Sequence, residues 1–247
     1  MKIMVINPNT SVSMTEHLRR ELAKIKRADT ELTVTCPAAG PLTIESAYDE
    51  ALAVPPTLEL VQRANREGFD AVILACFSDP GIAAAKEISE IPVVGIEEAS
   101  LHVAAMLGFK FTILTPLARR IPHKHEEVRR YRLEESLASV RALGMSVAET
   151  DAEPERTRQR ILEVARQAAE QDGAEVIILG CAGMVGYAEA VQRELGLVVL
   201  DPASVALKLC EALIEAGLSH SKRALFSRPP EKEIKRRFQP ERRRHSG

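Results

Sequence analysis

The chain has 247 residues, 45% of them hydrophobic and 4% aromatic with no Trp, and a formal net charge of −2. That length provides one large domain or two compact halves around an Ala/Val/Ile/Leu core, and the composition excludes a disordered or fibrous chain. A charge so near zero supplies no global field toward nucleic acid or a membrane surface.

In chain order, short β-branched apolar runs at 3–7, 31–36, 71–76, 92–96, 110–115, 145–149, 175–180 and 197–200 predict strands. Amphipathic stretches at 13–27, 50–67, 80–89, 97–107, 124–142, 154–172, 184–195 and 202–217 predict the helices between them. Alternation with such continuously apolar strands implies an α/β fold whose parallel sheets are covered on both faces. The opening apolar run is too short for a signal-peptide core, and no run approaches the roughly 20 residues of a membrane helix. A cytoplasmic protein with no membrane partner is therefore expected.

The two halves of the chain resemble each other. Lys2-Ile3-Met4-Val5-Ile6-Asn7-Pro8 aligns with Lys110-Phe111-Thr112-Ile113-Leu114-Thr115-Pro116, and Val72-Ile73-Leu74-Ala75-Cys76 with Ile177-Ile178-Leu179-Gly180-Cys181. Cys76 to Cys181 and Val93 to Val198 share one offset of 105 residues, far too long for a solenoid repeat. The pattern predicts two pseudo-symmetric halves, each a parallel, mostly four-stranded sheet flanked by helices, with the active site in the cleft between them. Residues 1–98 plus 202–219 are read as the first half, 99–201 as the second, and 220–247 as a basic tail. That tail carries +7 and leaves −9 in the rest. It lacks apolar periodicity, and is expected to be solvated or to bridge subunits rather than to grip nucleic acid.

Four cysteines are scattered without CxxC spacing, which supports neither a disulfide scaffold nor a zinc site. A free Cys after an apolar strand is most often a small buried hydrophobe, and Cys36 and Cys210 are read that way. Cys76 and Cys181 differ because they occupy equivalent positions in the repeat, beyond the strand ends where open α/β sheets bind ligands. Each precedes an expected helix N-terminus, which would lower the thiol pKa and hold a developing oxyanion. One thiolate could then take a proton from the carbon α to a carbonyl while the opposite thiol returns one to the other face. Asp79, before Pro80, reads as a helix cap rather than a third base. The His123-Lys124-His125-Glu126 run invites a metal, but no further ligand has recognisable spacing, so none is expected.

At Ile6-Asn7-Pro8-Asn9-Thr10-Ser11, Ala75-Cys76-Phe77-Ser78-Asp79-Pro80-Gly81, Pro92-Val93-Val94-Gly95-Ile96 and Leu179-Gly180-Cys181-Ala182-Gly183-Met184 the sequence resembles the hydantoin racemase group of the aspartate/glutamate racemase superfamily. The match runs from the first strand to about residue 217. The resemblance implies a two-cysteine 1,1-proton transfer by Cys76 and Cys181 with no metal or organic cofactor. It also implies substrate contacts from Asn9, Phe77, Ser78, Thr115, Ala182, Gly183 and Met184. Glu45, in a loop that resembles one of this group, either reaches a substrate N–H or is a solvated carboxylate.

A 5-monosubstituted hydantoin fits best, because the loops after both cysteines offer neutral groups and no Arg or Lys for a free carboxylate. Allantoin, itself a 5-substituted hydantoin, is the runner-up, ahead of an aspartate/glutamate-type substrate. A maleate isomerase or decarboxylase relative ranks lower still. A homo-oligomer is expected. The alternative from another class is a non-catalytic small-molecule-binding protein.

Overall fold

The computed structural model describes residues 1–232. Two parallel sheets form. The first has the order β2-β1-β3-β4, from β1 (Lys2–Ile6), β2 (Glu31–Thr35), β3 (Ala71–Leu74) and β4 (Val93–Gly95). The second repeats it as β6-β5-β7-β8, from β5 (Phe111–Thr115), β6 (Leu137–Ala142), β7 (Val176–Leu179) and β8 (Val198–Leu200). Around them lie α1 (Val12–Ile25), α2 (Ala47–Arg66), α3 (Ile82–Ile88), α4 (Ile96–Leu107), α5 (Ile121–Arg130), α6 (Val147–Ala152), α7 (Pro154–Asp172), α8 (Ala188–Leu195) and α9 (Pro202–Glu215). None of these helices is long and apolar enough to cross a membrane.

The strand order reverses direction between β1 and β3, and again between β5 and β7, and such switch points open a crevice beyond the strand ends. The two crevices are held together by a shared core. α4 follows β4 yet packs on β7 and β8, whereas α9 follows β8 yet packs on β3 and β4, and the two helices pack on each other. One continuous apolar cluster accordingly joins Ile3, Val5 and Ile73 of the first sheet to Phe111, Ile113 and Ile178 of the second.

One expected strand and one expected helix are corrected. The helix read over 124–142 stops at Arg130, and the strand read over 145–149 forms instead at Leu137–Ala142. β6 is an edge strand that carries the polar Ser139 and Arg141 on one face, so its period of two is easily missed. Ser139 and Arg141, on one face, both reach the Asp172 carboxylate at the end of α7. Ser146 caps α6 through the Glu149 N–H, and the Glu149 side chain returns to the Ser146 N–H, a capping box that starts a helix rather than a strand.

Part of the tail is described, and there it is not simply solvated. The Val93 N–H donates to His220 Nε2 at 2.6 Å beside β4, and Lys222 donates to the Lys86 and Glu87 carbonyls at the end of α3. Burial and nearby lysines push His220 down to about 4, so it accepts this bond as a neutral ring. The basic residues beyond 232 lie outside the described residues.

Candidate active site

A cleft lies where the two crevices meet, lined from both sheets, the usual place for a small-molecule site in such folds. Asn9 after β1, Cys76, Phe77 and Ser78 after β3, Thr115 at the end of β5, and Cys181 and Ala182 after β7 all line it, and so does Glu45. Gly183 and Met184 do not. Met184 is wholly buried in the core of the second half, and Gly183 acts through its N–H, which donates to Cys181 Sγ at 3.4 Å.

Each thiol is placed by a specific backbone feature. The Cys76 carbonyl accepts from the Ser78 and Asp79 N–H groups, a tight turn that puts Asp79 at φ 42°. Cys76 Sγ lies 3.5 Å from Ser78 Oγ. On the other wall, Gly180 brings the chain against β5. Its N–H donates to the Leu114 carbonyl at 2.8 Å, and a Cβ there would stand 2.7 Å from that same oxygen.

Neither thiol has the helix N-terminus expected of it. α3 begins only at Ile82 behind an uncapped Gly81, and a single 3₁₀ turn (Ala182–Met184) follows Cys181. Burial therefore dominates: it pushes Cys76 up to about 12 despite the Ser78 hydroxyl, and Cys181 up to about 11 despite the Gly183 N–H. Each thiol also feels its partners across the cleft. Cys181 disfavours charge on Cys76, and Lys124 favours it on both.

Asp79 is a cap, but for another helix. Its carboxylate accepts from the Glu97 and Glu98 N–H groups at 3.1 and 2.8 Å, at the start of α4. Burial, and then Glu97 and Glu98, hold its carboxyl well above the usual range. In the second half Asp201 caps α9 from within the sequence and also accepts from the Gly186 N–H. Glu45, which lines the cleft, also ties the halves together: its Oε1 accepts the Val147 N–H at 3.0 Å and so joins the first-half loop to the start of α6.

Asn9 keeps a donor free. Its Oδ1 accepts from Asn7 and from the Ser11 N–H, while its Nδ2 meets only the Met14 thioether, a weak acceptor, at 3.7 Å.

The cations of the cleft are not foreseen from the cysteine loops. Arg120, in the 3₁₀ turn before α5, and Lys124 on α5 enter the lining, although those loops contain neither residue type. Both are paired: Arg120 with Glu50, and Lys124 with Glu97 at 2.9 Å and Glu127 at 2.6 Å. Glu50, His123 and Glu127 place ligand atoms within 4.8 Å of one another. Those carboxylates already hold Arg120 and Lys124, which oppose a further cation. The signal for Lys124 was present in the His-Lys-His-Glu run, as the lysine between two side chains of metal-ligating type.

Comparison with known proteins places the chain in a family. The family model described as Asp/Glu/Hydantoin racemase matches residues 3–210. A hydantoin racemase of Paenarthrobacter aurescens is 38% identical over 94% of this chain and 99% of its own length. That of Pseudomonas sp. (strain NS671) is 36% identical over 94% of each chain. The structure of an allantoin racemase from Klebsiella pneumoniae superposes with a TM-score of 0.93, at 34% identity, over 97% of this chain and 98% of that one.

Proposed function

For a chain that belongs to the Asp/Glu/hydantoin racemase family and is an isomerase of the racemase class, we propose inversion of the C5 stereocentre of 5-monosubstituted hydantoins by proton transfer between Cys76 and Cys181. The observation that carries this reading is the pair of thiols at equivalent switch points of two sheets, lining one cleft from opposite walls. In one direction the thiolate of one cysteine takes the C5 proton. The electron pair left on carbon delocalises onto the adjacent carbonyl oxygen, and the other thiol donates its proton to the opposite face. The products are the mirror-image substrate and an enzyme with its thiol and thiolate exchanged, so no redox partner is needed. The free Nδ2 donor of Asn9 is suited to the developing oxyanion.

Allantoin is the second reading, supported by the likeness to the Klebsiella protein and by the polar rim that Arg120 adds. A free amino acid is disfavoured for a revised reason. Cations are present, but they are already committed to ion pairs with Glu50, Glu97 and Glu127, which leaves no unpaired Arg or Lys among the described lining residues to clamp a free carboxylate. Its unpaired thiols suit a cytoplasmic setting, and we place it there as a homo-oligomer.

The test is proton exchange in D₂O with single enantiomers of 5-substituted hydantoins, allantoin and aspartate, followed by optical rotation and NMR. Rotation should decay for the hydantoin class. Cys76→Ser and Cys181→Ser should each lose inversion by at least about 10²-fold, while each still exchanges the proton of one enantiomer, a different one for each variant. Normal racemisation by both variants would refute the two-thiol reaction.

A further inference from the structure

Lys124 is buried, lines the cleft, and belongs to neither cysteine loop. Its ammonium has three donors and three acceptors within reach. Two of them accept hydrogen bonds, the Phe77 carbonyl next to Cys76 and Glu97 Oε1 on α4, and the third, Glu127 Oε2 on its own helix, is an ion-pair contact at 2.6 Å. It also stands 4.9 Å from the centroid of the Phe77 ring. So tied, it cannot swing as a proton carrier. Both carboxylates are buried and neither lines the cleft, so the assembly turns its positive end toward the thiols.

We propose that Lys124 is the positioning residue shared by both thiols: it clamps the Cys76 loop through the Phe77 carbonyl and presents one fixed positive charge to Cys76 and Cys181 alike. The proposal rests on the two-thiol reading above.

The balance of charges around the cleft gives it weight. Glu50 on α2 opposes a thiolate at Cys76, and Glu45 opposes one at Cys181. Cys181 further opposes a thiolate at Cys76, and burial opposes both. Against these, Lys124 acts on both sulfurs in the favourable direction. Its own burial works against its charge, but Glu97 and Glu127 outweigh that and hold it above an ordinary lysine. Glu97, pushed up to about 7 by burial and then by Glu127, becomes protonated in mild acid and then leaves more of the Lys124 charge uncompensated. His123, which lies 3.0 Å from Glu127, is pushed down by burial and by Arg120 and Lys124, so it adds little charge at neutral pH. Asp79, Glu98, Arg120 and Tyr131 also face α5 or the Cys76 turn.

The experiment is iodoacetamide alkylation of the full chain between pH 7.5 and 9, with the rate read separately for each cysteine by peptide mass spectrometry. In Lys124→Met, alkylation of both Cys76 and Cys181 should slow by about tenfold, the effect of losing an opposite charge worth about one pKa unit. Lys124→Arg should restore most of the rate. Cys36 serves as a reference outside the cleft, and Cys210, fully buried, reports loosening of the core. A purely structural role predicts the opposite sign, because a loosened cleft exposes its thiols and speeds their alkylation. If Lys124→Met does not fold because Glu97 and Glu127 are left unpaired, the triple variant with Glu97→Gln and Glu127→Gln should still be alkylated about tenfold more slowly at both cysteines than the Glu97→Gln/Glu127→Gln double variant that keeps Lys124. Parent rates at both cysteines, or slowing at Cys76 alone, would overturn the shared charge. These rates need no substrate, so a failure of the racemase reading would appear separately, as absence of turnover by the parent protein.

Discussion

The dependence of racemisation on pH follows directly from the burial of the thiols. Cys181 stands at about 11 and Cys76 at about 12. At pH 8 their thiolates are then on the order of one in 10³ and one in 10⁴ of the protein, free-energy costs of about 4 and 5 kcal/mol. These are acids whose pKa is raised by folding, so the reactive base is scarce below the folded value and grows as pH rises toward it. Because kcat/KM reports ionisations of the free enzyme, it should climb about tenfold per pH unit from about pH 7.5 to 9 with no plateau, above the range in which Glu97 titrates. The assay is initial-rate polarimetry on one enantiomer across that range. The alkylation rate of each cleft cysteine, measured in parallel, must rise with the same slope, which separates enzyme from substrate titration. A plateau within that range, or a fall across it, would show that an ordinary or depressed thiol does the chemistry and that burial is not the dominant influence.

Two further outcomes test the supports of the site. Gly95→Ala would drive a Cβ into the Asp79 carboxylate, well inside contact distance, and that carboxylate is itself pinned by two N–H groups. Overpacking together with loss of the α4 cap should cost about 2–4 kcal/mol in chemical denaturation, and racemisation should fall with it, since Asp79 lies in the turn that carries Cys76. A loss below about 0.5 kcal/mol would show that Asp79 is free to move. Truncation after Leu218 removes the His220 and Lys222 bonds to β4 and α3, and should lower Tm by about 2–6 °C with alkylation rates in the cleft unchanged. A truncated chain with the parent Tm would mean that the strap contributes nothing in solution.

Much of the fold was legible because its strands are buried on both faces and read as unbroken apolar runs. β6 was not, for the same reason inverted: at the edge of its sheet it spends Ser139 and Arg141 on Asp172, and its helix-forming residues masked an alternation of two. Within the site, position was easier to read than environment. Equivalent places in the repeat located Cys76 and Cys181, but the direction of their pKa depended on where α3 begins and on how deep the cleft is, and neither is written locally. Asp79 shows the same divide. Its side chain was legible as a cap, but the helix it caps starts at Ile96 and reaches it only through the pairing of β3 with β4. Lys124 was hidden for a further reason, since an amphipathic helix does not announce which of its charges points inward.

The near-symmetry of the halves also determines how the hand of each cysteine can be read. Enantiomers have equal free energy in water, so kcat/KM must be equal in the two directions whatever the two thiols are. The form with its thiolate at Cys76 is rarer by about tenfold, given the separation of about one pKa unit. Equality then requires that form to carry its enantiomer through binding and proton removal together about tenfold faster, part of which a stronger base can supply. Any substitution beside one cysteine, such as Thr150→Val next to Cys181, must slow both directions alike, and its asymmetry appears only as kcat and KM moving together for one enantiomer. Direct assignment of the hand therefore comes from the single-thiol proteins. Deuterium entering one enantiomer in Cys76→Ser identifies the face served by Cys181, and the complementary label in Cys181→Ser identifies the face served by Cys76.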